Sequence, residues 1–299
     1  TLLRHSLETA PHQDAGGTLV SYPWDLVALN GDEITRDLAG RCLHENTHAD
    51  RPIVLIGPRE NVWIAPTARV EPLVAIDATR GPVVIDEGAV VTAFTRLEGP
   101  CWIGPHAHVL GAKIRARTTI GPHCRVGGEV EASILHGYSN KYHEGFLGHS
   151  YVGEWVNLAA GTHNSDLRND YGEVSVLQFG APVATGMTKV GCFIGDHTKT
   201  GLGTLINTGT TIGAFCNLLP AGRYAPRYLP SFTSWWNARL CEAFTLEQLL
   251  TTASIAMSRR GVALTAPLRA FYAELYAATA NERRQSVREM EPRVLRKSA

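Results

Sequence analysis

The chain has 299 residues, 44% of them hydrophobic, with 28 basic side chains against 28 acidic ones; this is enough for a large core and one or two domains. The balanced charge argues against a broad nucleic-acid footprint, which needs a basic surface, and no run of about 18 apolar residues is present to span a bilayer. No basic stretch followed by an apolar one opens the sequence, so no signal peptide and a cytoplasmic location are expected.

Residues 1–52 carry no repeat and read as a helical connector. Trp24, Val27, Ile34, Leu38 and Leu43 mark the apolar face of a helix over Trp24–Leu43, which Asn30-Gly31 is expected to break in two. From Ile53 the pattern turns extended, with Ile53, Leu55, Val62, Ile64, Val70 and Ile76 in the first, irregular coils. An aliphatic residue then returns almost every six positions: Ile85, Val91, Leu97, Ile103, Val109, Ile114, Ile120 and Val126. Four residues after each stands a small side chain (Ala89, Thr95, Cys101, Ala107, Thr118, Cys124), with Lys113 as the exception. A second run has Ile194, Thr200, Ile206, Ile212 and Leu218, with Thr198, Thr204, Thr210, Cys216 and Gly222. A period of six fits neither a helix, at about 3.6, nor a half-buried strand, at about 2. It is a hexapeptide repeat and predicts a mainly β protein, a parallel β-helix over 53–222.

Three hexads make one triangular coil. Each aliphatic residue points inward onto its equivalent one coil away, burying a core that no single coil could bury. The small residue sits at the corner, where a cysteine serves as compact apolar filler; the six cysteines therefore do not read as a disulfide framework. Gly or Asp after the aliphatic residue (Gly104, Gly121, Gly153, Gly195, Gly213, Asp86) suits backbone that must turn. The repeat lapses between Ala132 and Phe146 and returns at Val152 and Leu158, with Val156 and Thr162 at the small position. The polar segment His163 to Glu173 is expected to be a loop thrown out of a coil, and Val174 to Phe179 is strand-like. Pro220, Pro226 and Pro230 are expected to stop the sheet, since proline cannot donate to a ladder. From Ser231 the chain reads as helical. Leu246, Leu249, Leu250, Ala253, Ile255 and Met257 cluster in one helix, and a second runs from Pro267 to about Arg284 after a break near Gly261. Residues 223–299 are thus a C-terminal helical extension, with a solvated basic tail (Arg293, Arg296, Lys297).

Lys141-Tyr-His-Glu-Gly-Phe-Leu-Gly148, followed by Tyr151-Val-Gly-Glu-Trp-Val-Asn157-Leu-Ala-Ala-Gly-Thr162, resembles the left-handed β-helix acyltransferases. The resemblance is to the acetyltransferase half of the bifunctional N-acetylglucosamine-1-phosphate uridyltransferase/glucosamine-1-phosphate acetyltransferase family. That family carries a similar His-x-x-Tyr-Leu-Gly, then Ile-Gly-x-x-Val-Asn-Ile-Gly-Ala-Gly-Thr, then a polar loop with Asn-Tyr. Tyr22-Pro-Trp-Asp-Leu26 and Gly137-Tyr-Ser-Asn-Lys141 look like a less characterised sugar nucleotidyltransferase branch of it. The match covers roughly Ile53 to Pro220. It implies a left-handed coil and a homotrimer with sites between neighbouring coils. It implies acetyl or acyl transfer from acetyl-CoA, the co-substrate, to an amino sugar that is phosphorylated or nucleotide-linked, without a metal. No Gly-rich, Arg- and Lys-bearing triphosphate loop is found, so no nucleotidyltransferase activity is expected.

His143 stands where the repeat lapses, outside the core stack, and aligns with the family's catalytic histidine. Histidine titrates near neutrality and suits removal of a proton from an attacking amine or hydroxyl. Asn157 matches an asparagine that contacts the amino sugar, although an asparagine in a hexad also forms stacked amide ladders. Phe146 stands where the family has a tyrosine, keeping the ring without the hydroxyl. The family's Asn-Tyr pair aligns with Asn164 or with Asn169 and Tyr171. Glu131 falls where a lysine is expected, with Lys141 or Arg125 as substitutes. Lys199, Arg223 and Arg227 are candidates for the coenzyme A phosphates, which cationic side chains pair well. Two alternatives stand beside the transferase: a non-catalytic sugar-nucleotide-binding or trimerisation module, and a metal enzyme resembling the γ-class carbonic anhydrases. The latter share the coil and would use His143, His149 and His163 as zinc ligands. His106, His108 and His123 are expected to face solvent.

Overall fold

The computed structural model describes residues 9–11, 16–39, 53–178, 180–219 and 222–290. Leu43, Phe179, Pro220 and the tail residues Arg293, Arg296 and Lys297 lie outside the described residues. A helix, α1 (Pro23–Ala39), precedes a long run of short strands, and α2 (Leu246–Ser258), α3 (Ala266–Ala278) and α4 (Ala280–Met290) follow it.

The strands stack in parallel, coil upon coil. Along one side run Val62–Ile64, Val83–Ile85, Cys101–Ile103, Thr118–Ile120, Ile134–Gly137, Tyr151–Glu154, Cys192–Ile194, Thr210–Ile212 and Tyr228–Leu229. Their inward residues, Ile64, Ile85, Ile103, Ile120, Leu135, Val152, Ile194, Ile212 and Leu229, are all buried. The architecture is the parallel β-helix that the six-residue period calls for. Ala89, Thr95, Cys101, Ala107, Thr118 and Cys124 are buried at the small positions, and burial pushes the Cys101 and Cys124 thiols up to about 12. The exception at Lys113 resolves as a register change: Ala112, fully buried, fills the small place, and Lys113 is exposed.

The coil does not lapse between Ala132 and Phe146. Ile134–Gly137, Asn140–Lys141 and Phe146–Gly148 pair in register with the coil before them. What changes is the chemistry of one inward side chain. Val109 and Val126 are followed in their stack by Lys141, which is only 2% exposed. Asn164 is likewise a buried member of the coil, paired with Ile206. His163–Asn164 is therefore a coil strand, and the excursion starts later. The chain leaves after Asp166 and returns at Val190, whose N–H donates to the Asp166 carbonyl at 2.9 Å. Between them lies an antiparallel hairpin, Ser175–Gln178 with Ala181–Ala184.

Gly121 and Gly213 are not in the left-handed region. A Cβ on Gly121 would stand 1.9 Å from the His136 carbonyl oxygen, and one on Gly213 would stand 2.4 Å from the Ser231 nitrogen. These glycines are needed because the next coil's backbone passes there. Along one edge the turning is done by larger residues in the left-handed region: His106, His123, Tyr138, Trp155, His197, Phe215 and Phe232, with φ from 53° to 63°. Their rings stack as a ladder, with centroid separations of 5.0, 4.7, 4.2, 6.2, 4.6 and 5.0 Å. Left-handed backbone costs about 1–2 kcal/mol at a non-glycine residue, and aromatic pairs contribute about 0.5–1.5 kcal/mol beyond their burial. The ladder thus offsets much of its own strain. Of the three histidines expected to face solvent, His106 is exposed; His108 and His123 are half-buried, His123 as a rung.

The helices cover the coil. Trp24, Val27, Ile34 and Leu38 of α1 are buried. Asn30-Gly31 does not break this helix. The Asn30 amide donates to the Arg117 carbonyl (2.8 Å) and accepts from Thr119 Oγ1 (2.9 Å). A Cβ on Gly31 would lie 2.6 Å from Arg117 Cγ, so the pair marks where α1 lies against the coil. Strands continue past Pro226 and Pro230 through Ser234–Trp236, and Arg239–Cys241 folds back antiparallel on it, closing the sheet edge. The helix expected from Ser231 therefore begins only at Leu246. Its N-terminus is a capping box between Thr245 and Gln248. Leu249, Leu250 and Ala253 pack with Tyr272 on Phe215 and Phe232 of the ladder, whereas Ile255 faces out. Gly261 (φ 72°) separates α2 from α3 as expected.

His197, a buried rung, has its Nε2 3.1 Å from the Tyr272 hydroxyl. Burial, with Lys199 beside it, pushes the imidazole down to about 3. The unfolded chain takes up this proton near pH 6.5 while the folded one refuses it. The stability contributed is full above about pH 6.5 and lost as pH falls toward about 3. Urea unfolding should show a loss of up to about 1.4 kcal/mol per pH unit in that window that disappears in His197→Phe. An equal slope in both proteins would contradict this.

Candidate active site

His143 sits on the corner between Asn140–Lys141 and Phe146–Gly148, exposed, its ring edge-on to Tyr142 at 5.1 Å. The corner is pinned from inside the coil. The Lys141 ammonium donates to the Gly127 carbonyl at 2.8 Å and to the His143 carbonyl at 3.2 Å. Lys141 is thus a core residue that holds the backbone of His143, and its burial removes it from the ligand contacts expected of it. That burial pushes the ammonium down to about 8.

A Lys141→Met variant separates these effects. Native Lys141 gives up its proton before the unfolded chain does, so its stability contribution is full above about pH 10.5 and lost as pH falls through about 8. The variant, free of the buried charge, should be at least as stable as the wild type near neutrality. Its advantage should shrink by about 3 kcal/mol between about pH 8 and 10.5. A pH-independent difference would show that the amine is not buried.

On the strand after this corner, Phe146 is half-buried and its backbone N–H donates to Nδ1 of His163, one coil further, at 3.1 Å. Asn164 faces the core: its side-chain oxygen accepts from the Gly148 N–H (2.8 Å) and its amide donates to the Gly148 carbonyl (2.9 Å). These bonds hold two coils together and leave Asn164 with a structural role. Asn169 and Tyr171, on the excursion, are exposed beside the Arg168–Asp170 ion pair. Asn157 is half-buried on a different face of the coil. Its oxygen accepts from the Asn140 amide at 2.8 Å, and its backbone bridges to Lys199 one coil on. This is the amide ladder that a repeat asparagine can form.

The three expected phosphate cations are dispersed. Lys199 lies beside Asn157 and donates to the His197 carbonyl at 2.9 Å. Arg227 is tied to the Ser175 carbonyl of the hairpin, and Arg223 is exposed.

A second group was not singled out from the sequence as a unit. His149 Nδ1 lies 2.7 Å from Asp166 Oδ2, and Lys189 Nζ lies 3.9 Å from Glu131. His149 and Lys189 line a cavity of about 520 Å³ between α1, a coil corner and the end of the excursion. Burial opposes ionisation of Asp166, yet the His149 hydrogen bond and charge, with Lys189, hold its carboxyl below its ordinary value. Such partners meet across a coil, so adjacency in the sequence gives no signal of them. The zinc-ligand alternative finds its histidines occupied otherwise, His149 with Asp166 and His163 with Phe146. Among the described residues no three His, Cys, Asp or Glu side chains are placed to share a metal ion.

No family model matches the chain. It is 34% identical over 149 residues to a bifunctional sugar-1-phosphate nucleotidylyltransferase/acetyltransferase of Sulfurisphaera tokodaii, which takes in 47% of this chain and 36% of that protein. It is 30% identical over 208 residues to the bifunctional protein GlmU of Methanocaldococcus jannaschii, 66% of this chain and 42% of that one. The GlmU of Gloeothece citriformis is 33% identical over 128 residues, 42% and 23%. The chain thus spans less than half the length of these curated relatives. Among solved structures, Arabidopsis UDP-N-acetylglucosamine acyltransferase is similar with a TM-score of 0.36 at 15% identity, over 82% of this chain and 95% of that one. The chain is a relative of part of the bifunctional sugar-1-phosphate nucleotidylyltransferase/acetyltransferases.

Proposed function

We propose that the chain transfers an acetyl or other acyl group from coenzyme A to the amine of an amino sugar carried as a sugar phosphate or nucleotide sugar. One observation carries this: an exposed histidine, His143, on a backbone corner fixed from within by Lys141, in a coil related to sugar-1-phosphate acetyltransferases. His143 acts as general base. Its imidazole takes a proton from the amine as the nitrogen attacks the thioester carbonyl. The carbon–sulfur bond then breaks, the amide forms and the thiol leaves. Backbone N–H groups of the coil polarise the carbonyl oxygen as charge develops there. Phe146 offers a ring to the acceptor, and Asn169 and Tyr171 orient it. Lys189, brought by the excursion to Glu131, supplies a cation near the place where the resembling family has a lysine. The assembly is a cytoplasmic homotrimer with sites shared between neighbouring coils.

The test is a thiol-release assay with acetyl-CoA and a panel of amino-sugar phosphates and nucleotide-linked amino sugars. Thiol release that depends on the amine is the expected result. No release above buffer with any member of the panel, from protein that is folded, would overturn the proposal in favour of the non-catalytic module.

A further inference from the structure

Four cations converge between the coil and the C-terminal end of α2, in a cavity that His143 does not line. Arg125 and Lys199 stand on one face of the coil with Asn140 and Asn157 on the two coils between them, and Arg259 and Arg260 follow α2; together they line one cavity of about 510 Å³. No carboxylate lines it. Among the described residues none of the four is in an ion pair. Their protein partners are neutral: Arg260 donates to the His123 carbonyl (3.3 Å) and Lys199 to the His197 carbonyl (2.9 Å). The Nε of Arg125 is buried and has no hydrogen-bond partner among the described residues. Burial pushes Lys199 down, and burial together with the Arg125 and Arg259 guanidinium groups does the same to Arg260. Unpaired cations crowded in this way are costly unless an anion joins them.

The rest of the wall suits such an anion. The Asn140 amide donates to the Asn157 oxygen, and both asparagines line the cavity. Tyr138 and Trp155, two rungs of the aromatic ladder, form a rigid side. The volume lies within the range of small-molecule sites, about 300–1,000 Å³, and exceeds what a single phosphate needs.

We propose that this cavity is a seat for a diphosphate group, with the guanidinium groups of Arg125, Arg259 and Arg260 and the Lys199 ammonium pairing its oxygens. Coenzyme A and nucleoside-diphosphate sugars share that chemistry. Their choice as sources rests on the acyl transfer proposed above; the anion site itself does not. Arg259 and Arg260 lie beyond the stretch that carries the family resemblance, so the C-terminal extension gains a role in ligand binding as well as in covering the coil.

Direct binding tests this without any turnover. Titration calorimetry would use inorganic pyrophosphate, coenzyme A and UDP-N-acetylglucosamine, with pantetheine as the phosphate-free control. It would compare the wild type, the surface double variant Arg259→Ala/Arg260→Ala and, from the opposite wall, Arg125→Gln. The expected result is pyrophosphate binding that weakens at least about tenfold in both variants, with pantetheine unaffected. Parallel weakening for coenzyme A alone, or for the nucleotide sugar alone, identifies the source. Absence of pyrophosphate binding to the wild type, or binding unchanged in folded variants, overturns the site. Retained diphosphate binding with no acyl transfer would instead sink the proposed activity and leave this site standing.

Discussion

Replacing His143 by alanine should lower amine-dependent thiol release by about 10²–10⁴-fold, the usual contribution of a positioned general base. The fall should appear in kcat, with the KM for acetyl-CoA little changed, because the imidazole acts on the acceptor's proton as the transition state forms. The thermal midpoint should stay where it is. His143 is exposed, and its hydrogen bond to Lys141 uses the backbone carbonyl that alanine retains. Activity is thereby separated from folding, which is rarely possible for a residue inside a core. Lys141→Met offers the complementary result: it frees the corner while keeping the imidazole, so turnover should fall by less than in His143→Ala. Full turnover in His143→Ala would remove this histidine from the chemistry.

Ile120→Asp should be the most damaging change in the coil. Ile120 is fully buried, stacked between Ile103 and Leu135. An aspartate there would place an unpaired charge between two aliphatic stacking partners. Leaving a buried charge without its partner costs about 3–5 kcal/mol, and the lost apolar burial adds to it. Against a total stability of about 5–15 kcal/mol, the variant should melt far below the wild type or fail to fold. His136→Asp is the control. It follows Leu135 directly but faces out, so its effect should stay within about 0.5 kcal/mol. A melting curve unchanged by Ile120→Asp would contradict the inward stack.

The aliphatic stack was legible because every Ile, Leu or Val of the repeat serves one purpose, and the structure buries them all. Lys141 and Asn164 were not legible as inward residues, since a rule built on aliphatic side chains treats any polar residue as an interruption. Lys141 fits because its long apolar stem fills the stack while the ammonium reaches two carbonyls beyond it. The aromatic ladder escaped notice for another reason. Left-handed backbone at Tyr138 or Trp155 opposes local propensity and is supported by the ring one coil away. The stop assigned to the prolines failed because Pro226 and Pro230 flank a short strand, Tyr228–Leu229, rather than interrupt one. In the candidate site, the motif singled out His143, which the structure places exposed on a coil corner. The His149–Asp166 pair and the four-cation cavity were not, since each is assembled by neighbouring coils or by a helix distant in sequence.

A crystal structure with coenzyme A and an accepted amino sugar tests the central claim most directly. The predicted result is density that places the pantetheine sulfur and the acceptor amine about 3–3.5 Å apart, with the amine within hydrogen-bond reach of His143. Coenzyme A whose sulfur lies away from His143, with the acceptor amine facing a different base, would contradict it.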